Sequence, residues 1–438
     1  MHKLYELRML TSMRKTVWLM GTITVMMVSC NKLPFHDHFS EVVYIQNNNY
    51  LKGDNAIIAY RNNGDGKLTP VLGGPFFTGG SGIGNPQQIE GPNNSDNEIR
   101  ITNDKQFLLA VNSGSNTIAV FKINIDGTLS PVPGSPFPSG GETPVSIDMW
   151  QQYVYVINKS QNPITPTSSK PNTTVFRLEG DGSLTPVDTM EVSAGASPAA
   201  VQVSKKYGLV YTTWYLGLRV NGPVHLVTEI YTTSNTGRLS ELTSTISRSA
   251  RPQGIWESPS GNTVYVASSR GTEGGVVDLW AINSVPNAIP YWPYRPQVQG
   301  YIKAGAGACC VRTNTTGDHL YVLNSDENSV SVYNSSNAVA PNSLQKLTLK
   351  NAGPTYTIFG GTYTVTSSGC MSMGLSSNGK FLYVVSQHAN PDFNIGNYNY
   401  LHVLSVNPDG TLEEQEEPMQ LPVQNTVRPR GVAVYKVN

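Results

Sequence analysis

After about residue 40 the chain alternates apolar and polar positions in short runs with period two. Phe107 to Asn112 and Thr117 to Phe121 form two such runs, joined by Ser113-Gly114-Ser115-Asn116. His319 to Asn324 and Ser329 to Tyr333 repeat the arrangement around Ser325-Asp326-Glu327-Asn328. Alternation interrupted by a short polar turn predicts an antiparallel hairpin of half-buried strands. A second phrase follows the hairpins. It reads Asp65-Gly66-Lys67-Leu68-Thr69-Pro70, then Asp126-Gly127-Thr128-Leu129-Ser130-Pro131, then Asp181-Gly182-Ser183-Leu184-Thr185-Pro186. Thr236-Gly237-Arg238-Leu239 and Asp409-Gly410-Thr411-Leu412 carry shorter forms. Positions 65, 126, 181 and 236 are 61, 55 and 55 residues apart. A multi-strand unit recurring at that period stacks radially against its neighbours, so the expected fold is all-β, a β-propeller of four-stranded blades.

Six apolar segments read as inner strands: Glu98 to Thr102, Pro144 to Met149, Pro198 to Val203, Pro252 to Glu257, Ala308 to Thr313 and Cys370 to Leu375. Polar turns such as Ser258-Pro259-Ser260-Gly261-Asn262 lead each into a strand of the Tyr-Val type. The ends supply a seventh blade. Val42-Val43-Tyr44-Ile45 matches a second strand with no first strand before it, and Arg430 to Val437 matches a first strand with no second after it. Pairing the two closes the ring and removes two exposed sheet edges. Seven blades over 41–438 are therefore expected, with the C-terminal strand entering the N-terminal blade.

Loop length distinguishes the two faces. Turns between the first and second strands are short, whereas Gly79 to Asn97, Gln161 to Pro171, Gly353 to Ser368 and Ser386 to Tyr398 are long and share the other side. Asn283 to Gln299, carrying Tyr291-Trp292-Pro293-Tyr294, is the exception, expected opposite. Insertions in repeat folds collect on the binding face, so the looped face and its channel mouth form the expected site.

Composition narrows the partners. Lys+Arg and Asp+Glu number 30 each, and charged residues make up 14% of the chain. Nucleic acid needs a basic field that is missing here. Residues 1–30 read as an export signal: Met13-Arg14-Lys15 precedes an apolar run from Thr16 to Val28, too short to span a membrane, and Ser29-Cys30 follows. That ending resembles a bacterial lipoprotein signal, with Cys30 as the lipidated residue, 31–40 as tether, and the lipid as the only membrane contact. A periplasmic or outer-membrane, monomeric protein is expected. Cys309, Cys310 and Cys370 remain. Either Cys370 bonds one of the other two across neighbouring blades, or all three are small apolar residues of tight inner strands.

The Tyr-Val-x-Asn hairpins, the Asp-Gly-x-Leu-x-Pro phrase and the Ser-Pro turns together resemble the seven-bladed lactonase propellers, whose members include 6-phosphogluconolactonases. The resemblance runs from Val42 to Asn438 and implies the fold, a small lactone as substrate and no cofactor. It also implies Arg, His and acidic residues at the starts of inner strands. Arg251-Pro252-Gln253-Gly254 and Arg428-Pro429-Arg430-Gly431 keep the arginines, but Gln253 stands where the family often has histidine, and Ser197-Pro198 where it often has a Cys-His pair. Lactone hydrolysis needs a base for water and a donor for the oxyanion. Arg251 and Arg430 are the expected cationic groups, and Glu142 and His388 the expected acid–base groups. Gln253, Arg428, Asp326 and Asn112 are the expected substrate contacts. His36-Asp37-His38 has metal-ligand types but lies in the tether, and no metal-loop spacing occurs elsewhere. Two functions are therefore expected: hydrolysis of a sugar-acid-type lactone, or non-catalytic binding of a glycan, peptide or protein by the looped face.

Overall fold

The computed structural model describes residues 39–83, 95–159, 170–191, 197–216, 227–246, 250–271, 274–284, 294–358, 361 and 363–437. The export signal, Cys30 and His36-Asp37-His38 lie outside them. The strands form seven radial sheets. Blade one takes its inner strand from Arg430–Lys436 and continues with Glu41–Gln46, Ala56–Asn62 and Leu68–Pro70. Inner strands of blades two to seven are Ile99–Ile101, Pro144–Trp150, Ser197–Val203, Ala250–Glu257, Ala308–Thr313 and Ser368–Leu375. The ring closes as the terminal repeats predict: Val43 faces Val434 and Tyr44 faces Ala433 in an antiparallel ladder.

The buried apolar residues divide into layers, each shared by two adjacent blades. One layer joins Val42, Tyr44 and Ile57 of blade one to Leu108 and Phe121 of blade two. Another joins Val43 and Ile45 to Tyr383 and Leu401 of blade seven. Since the second strands pack on both faces, they are buried throughout rather than on alternate positions: Glu41–Gln46, Phe107–Asn112 and Tyr153–Asn158 are buried at every position.

The Asp-Gly phrase is the device that locks blade to blade. Its aspartate accepts the backbone N–H two residues on, as from Thr128 to Asp126 (3.0 Å), Ser183 to Asp181 (2.9 Å) and Thr411 to Asp409 (3.0 Å). The glycine then takes φ near +80°, and its bare Cα rests on the second strand of the preceding blade. A Cβ on Gly127 would lie 2.6 Å from Val42 Cγ2, and one on Gly182 would lie 2.7 Å from Phe107. Gly66 makes the same approach to Phe381 across the ring closure. Glu41 reinforces that seam: its carboxylate accepts from Tyr383 Oη (2.6 Å), Asn62 Nδ2 (3.1 Å) and the Ser377 backbone (2.7 Å).

Two segments differ from expectation. The insertion between blades six and seven folds into its own hairpin, Thr355–Ile358 with Tyr363–Thr366, instead of running as a loop. In blade five the described ends of the expected insertion are strand: Gly274–Ser284 pairs with Tyr294–Lys303 across nine residues. Tyr294 opens the outer strand; Tyr291, Trp292 and Pro293 lie outside the described residues.

Candidate functional site

The inner strands deliver their first residues to the axis at the looped face. Most begin with a β-bulge, as between Pro144 and Ser146, Pro252 and Ile255, and Ala308 and Cys310. A bulge increases local twist and re-aims side chains. The residues entering these strands are left-handed: Asn97 at φ +67°, Thr143 at +57° and Arg251 at +66°. That conformation costs an L-residue about 1–2 kcal/mol, more readily tolerated by Asn than by Thr or Arg.

Arg430 and Gln253, expected as cation and substrate contact, converge on one group. Both donate to the Ser95 carbonyl, Gln253 Nε2 at 3.0 Å and Arg430 through Nη2. The acidic partner of Arg430 is Glu98, with Nε and Oε1 3.0 Å apart as an ion pair. Ser95 Oγ donates to the same carboxylate oxygen at 2.8 Å. Arg430 is 1% exposed and Glu98 4%. Burial pushes the Glu98 carboxyl up, and the Arg430 charge pulls against it. Within this pair, Arg430 Nη1 and Glu98 Oε2 are buried with no hydrogen-bond partner among the described residues. One is a donor and the other an acceptor.

Lys159 joins this cluster. It follows the second strand of blade three, and its backbone N–H donates to Thr143 O at 2.9 Å. The side chain is fully buried. Burial, then the Arg430 charge, bring its amine down to about 7, with Glu98 acting in the opposite sense. Sequence reading missed Lys159 because a single lysine after an Asn carries no motif; complete burial of a lysine is the signal, and only packing reveals it.

The other expected residues divide. Arg428 is buried, its guanidinium lowered to about 10, and its carbonyl accepts from Asn48 Nδ2 at 3.1 Å. His388 ends the second strand of blade seven, stacked on Phe393 at 5.1 Å between ring centroids, and burial lowers its pKa, with Arg428 adding to the effect. Neither His388 ring nitrogen has a hydrogen-bond partner among the described residues. His388 therefore shares a neighbourhood with Arg428 rather than with the Arg430–Glu98 pair. Glu142 is half-buried before the inner strand of blade three, and the carboxylate paired with Arg430 is that of Glu98. Arg251 is half-buried at its blade entrance. Asp326 anchors the inserted hairpin, its carbonyl accepting from Thr366 N at 2.8 Å. Asn112, expected to touch substrate, is instead held inside the fold: its Oδ1 accepts from Asn55 Nδ2 (2.7 Å) and Thr78 Oγ1 (2.6 Å), and its Nδ2 donates to Thr117 (3.0 Å).

The cysteines resolve to the second expectation. Cys309, Cys310 and Cys370 are buried free thiols, with Cys310 Sγ donating to Met371 O at 2.8 Å. Below the cluster, Arg312 forks onto Asp96 (2.8 and 2.7 Å) and reaches Asn97 Oδ1 at 2.6 Å. No group of three or more His, Cys, Asp or Glu suited to a metal occurs among the described residues.

Fold and site together define a closed seven-bladed propeller with a buried, charged cluster where its first inner strands begin. The chain belongs to the lactonase seven-bladed β-propeller family, whose sequence model matches residues 82–173 and 139–436. Its fold is similar to a Lactobacillus plantarum protein at 16% identity, over 90% of this chain and 100% of that one, with a TM-score of 0.61. A candidate 6-phosphogluconolactonase of Bacteroides uniformis shares 15% identity over 90% and 99% of the two chains, TM-score 0.62. The periplasmic gluconolactonase of Pseudomonas aeruginosa shares 15% over 91% and 99%, TM-score 0.58. Among curated protein sequences there is no match.

Proposed function

We propose that this propeller hydrolyses a small sugar-acid-type lactone at the looped mouth of its channel, using Arg430, Glu98 and Lys159. The observation that carries the reading is a donor and an acceptor of one buried ion pair that have no partner among the described residues, with an amine brought close to neutrality in the same cluster. Buried polar atoms are nearly always paired, and orphans concentrate where a ligand completes the set.

The neutral Lys159 amine takes a proton from water as the water oxygen bonds to the lactone carbonyl carbon. Arg430 Nη1 donates to the oxyanion that forms, where a low-dielectric setting strengthens the contact. Glu98 Oε2 accepts from a substrate hydroxyl and keeps the guanidinium aimed. Collapse breaks the ring C–O bond, and the departing alkoxide receives the proton from the Lys159 ammonium, releasing a hydroxy acid. All three groups are covered, so turnover requires the looped face to open and re-close around substrate. Membership of the lactonase family supports the reaction class. The export signal read in residues 1–30 favours an unphosphorylated lactone outside the cytosol, with Cys30 holding the protein to the envelope.

The test is proton release by the protein against a panel of five- and six-membered lactones, with Lys159→Met and Arg430→Lys beside it. Turnover by the wild type that both variants lose by at least ~100-fold supports the reading. No turnover on any lactone leaves a ligand-binding propeller.

A further inference from the structure

At the face opposite the long loops, the channel widens into two adjoining cavities of about 380 and 570 Å³. They share Arg100, Trp256 and Pro259, so they form one vestibule. No residue assigned to the lactone site lines it. One wall is apolar: Ile101, Leu375, Val432 and Val434 stand on inner strands and remain half-exposed. The other wall is polar and carries Arg100, Asp148, Gln202, Lys205 and Glu257. Pro259 and Ser260 at the rim are exposed turn residues, so the vestibule opens to solvent between the short turns.

The charges on the polar wall are unevenly matched. Asp148 is satisfied: it pairs with Arg100 Nη2 at 3.3 Å and accepts from Gln202 Nε2 (2.9 Å) and Val203 N (2.7 Å). Arg312, which also lines the vestibule, is matched by Asp96. Lys205 and Lys206 lie at the rim, both exposed, with Lys206 Nζ held by Asn262 Oδ1 at 2.7 Å. Glu257 is the remaining carboxyl. It accepts from Lys205 N at 3.2 Å and is raised to about 7, chiefly by burial, with Asp148 adding and Ser204 and Lys205 opposing. With Arg312 set against Asp96, the wall holds Arg100, Lys205 and Lys206 against Asp148 and Glu257, three cations to two acids even with Glu257 ionised. The wall is therefore net positive, next to an apolar surface that water covers at a cost.

We propose that this vestibule is a second ligand site, which takes a small amphipathic carboxylate: an acid group against Arg100 and Lys205, and an apolar body along Ile101, Leu375 and Val434. A sugar acid, polar all round, gains nothing from that second wall, so this site differs in ligand class from the looped mouth. The proposal does not depend on lactone turnover.

Titration calorimetry of the full-length protein with octanoate, octanol and gluconate tests it. Octanoate is expected to bind with a sub-millimolar Kd, and octanol and gluconate at least about tenfold more weakly, since each lacks one half of the match. Lys205→Glu, at an exposed position, and Arg100→Gln are each expected to weaken octanoate binding about tenfold, with thermal melting verifying that each variant folds. Leu375→Asp on the apolar wall is expected to do the same. Absence of octanoate binding at about 10 mM, roughly the limit of useful affinity, overturns the proposal. So does equal binding of gluconate, or binding that none of the three substitutions alters.

Discussion

Arg430 Nε lies 3.0 Å from Glu98 Oε1, so the strand that closes the ring carries the cation and the next blade carries its counter-ion. Ring closure and site assembly are consequently one event. Removing Glu98 as Glu98→Ala leaves a buried guanidinium without its partner, a change that typically costs about 3–5 kcal/mol. Both the melting temperature and any lactone turnover are expected to fall. Glu98→Gln keeps the shape and the acceptor oxygen, so it should recover much of the stability but not the rate. A calorimetric melt run beside a rate assay separates these outcomes.

Lys159 sets a pH dependence with a definite sign. Unfolded lysine ionises near ~10.4, and the folded group near 7. Between those values the unfolded chain binds more protons, so this group's contribution to stability rises with pH from about 7 to ~10. Turnover should climb through pH 7 as the amine loses its proton. Lys159→Met is expected to flatten the stability slope and to abolish turnover. A variant whose pH–stability curve overlays the wild type would overturn the assignment.

Glu257 acts in the reverse sense. Its carboxyl is raised to about 7 when folded against roughly 4.3 when unfolded. Its contribution is therefore present below about pH 4 and is lost as pH rises towards 7, by up to roughly 4 kcal/mol before allowance for partial exposure. Glu257→Gln should be more stable than wild type at pH 8 and close to it at pH 4. Denaturant midpoints at the two pH values measure this.

Gly127 is expected to resist substitution. At φ +80°, with a Cβ 2.6 Å from Val42 Cγ2, Gly127→Ala combines backbone strain with overpacking between blades one and two. A loss of about 2–4 kcal/mol is expected, read as a lowered denaturant midpoint. Gly53, also at positive φ but with open space around its Cβ, serves as control and should lose only the backbone part, about 1 kcal/mol.

The three cysteines should behave as core residues. A water-soluble thiol reagent is expected to leave Cys309, Cys310 and Cys370 unmodified in the native protein and to reach all three on unfolding, with reductant leaving the melting temperature unchanged. Rapid native labelling would contradict their burial.

The fold was legible because its rules are local and repeated. Alternating runs, the Asp-Gly phrase and the unmatched first and last strands each depend on residues near one another in the chain, and they led to seven blades and to the closing strand. What the Asp-Gly phrase does between blades was less visible. Val42 and Gly127 are 85 positions apart, and no periodicity says that they touch.

The site was legible only in part, for the same reason. Arg430, Gln253 and Arg428 stood out by their place at inner-strand starts, and the structure seats all three in buried polar surroundings. Glu98 read as the first residue of a strand and Lys159 as a lone lysine after a strand. Their meaning comes from the axis, where residues from blades one, two and three converge across hundreds of positions in sequence. Asn112, the last residue of its strand, was expected to contact substrate, and the hydrogen bonds from Asn55 and Thr78 that hold it within the fold come from residues distant in sequence. The sequence by itself thus determined the strands, the blade count and the ring closure, because alternation and turn chemistry are written in neighbouring residues and each unmatched end strand is recognisable alone. Only tertiary structure decided which charges face one another, because charge partners and pKa shifts depend on burial and distance in space.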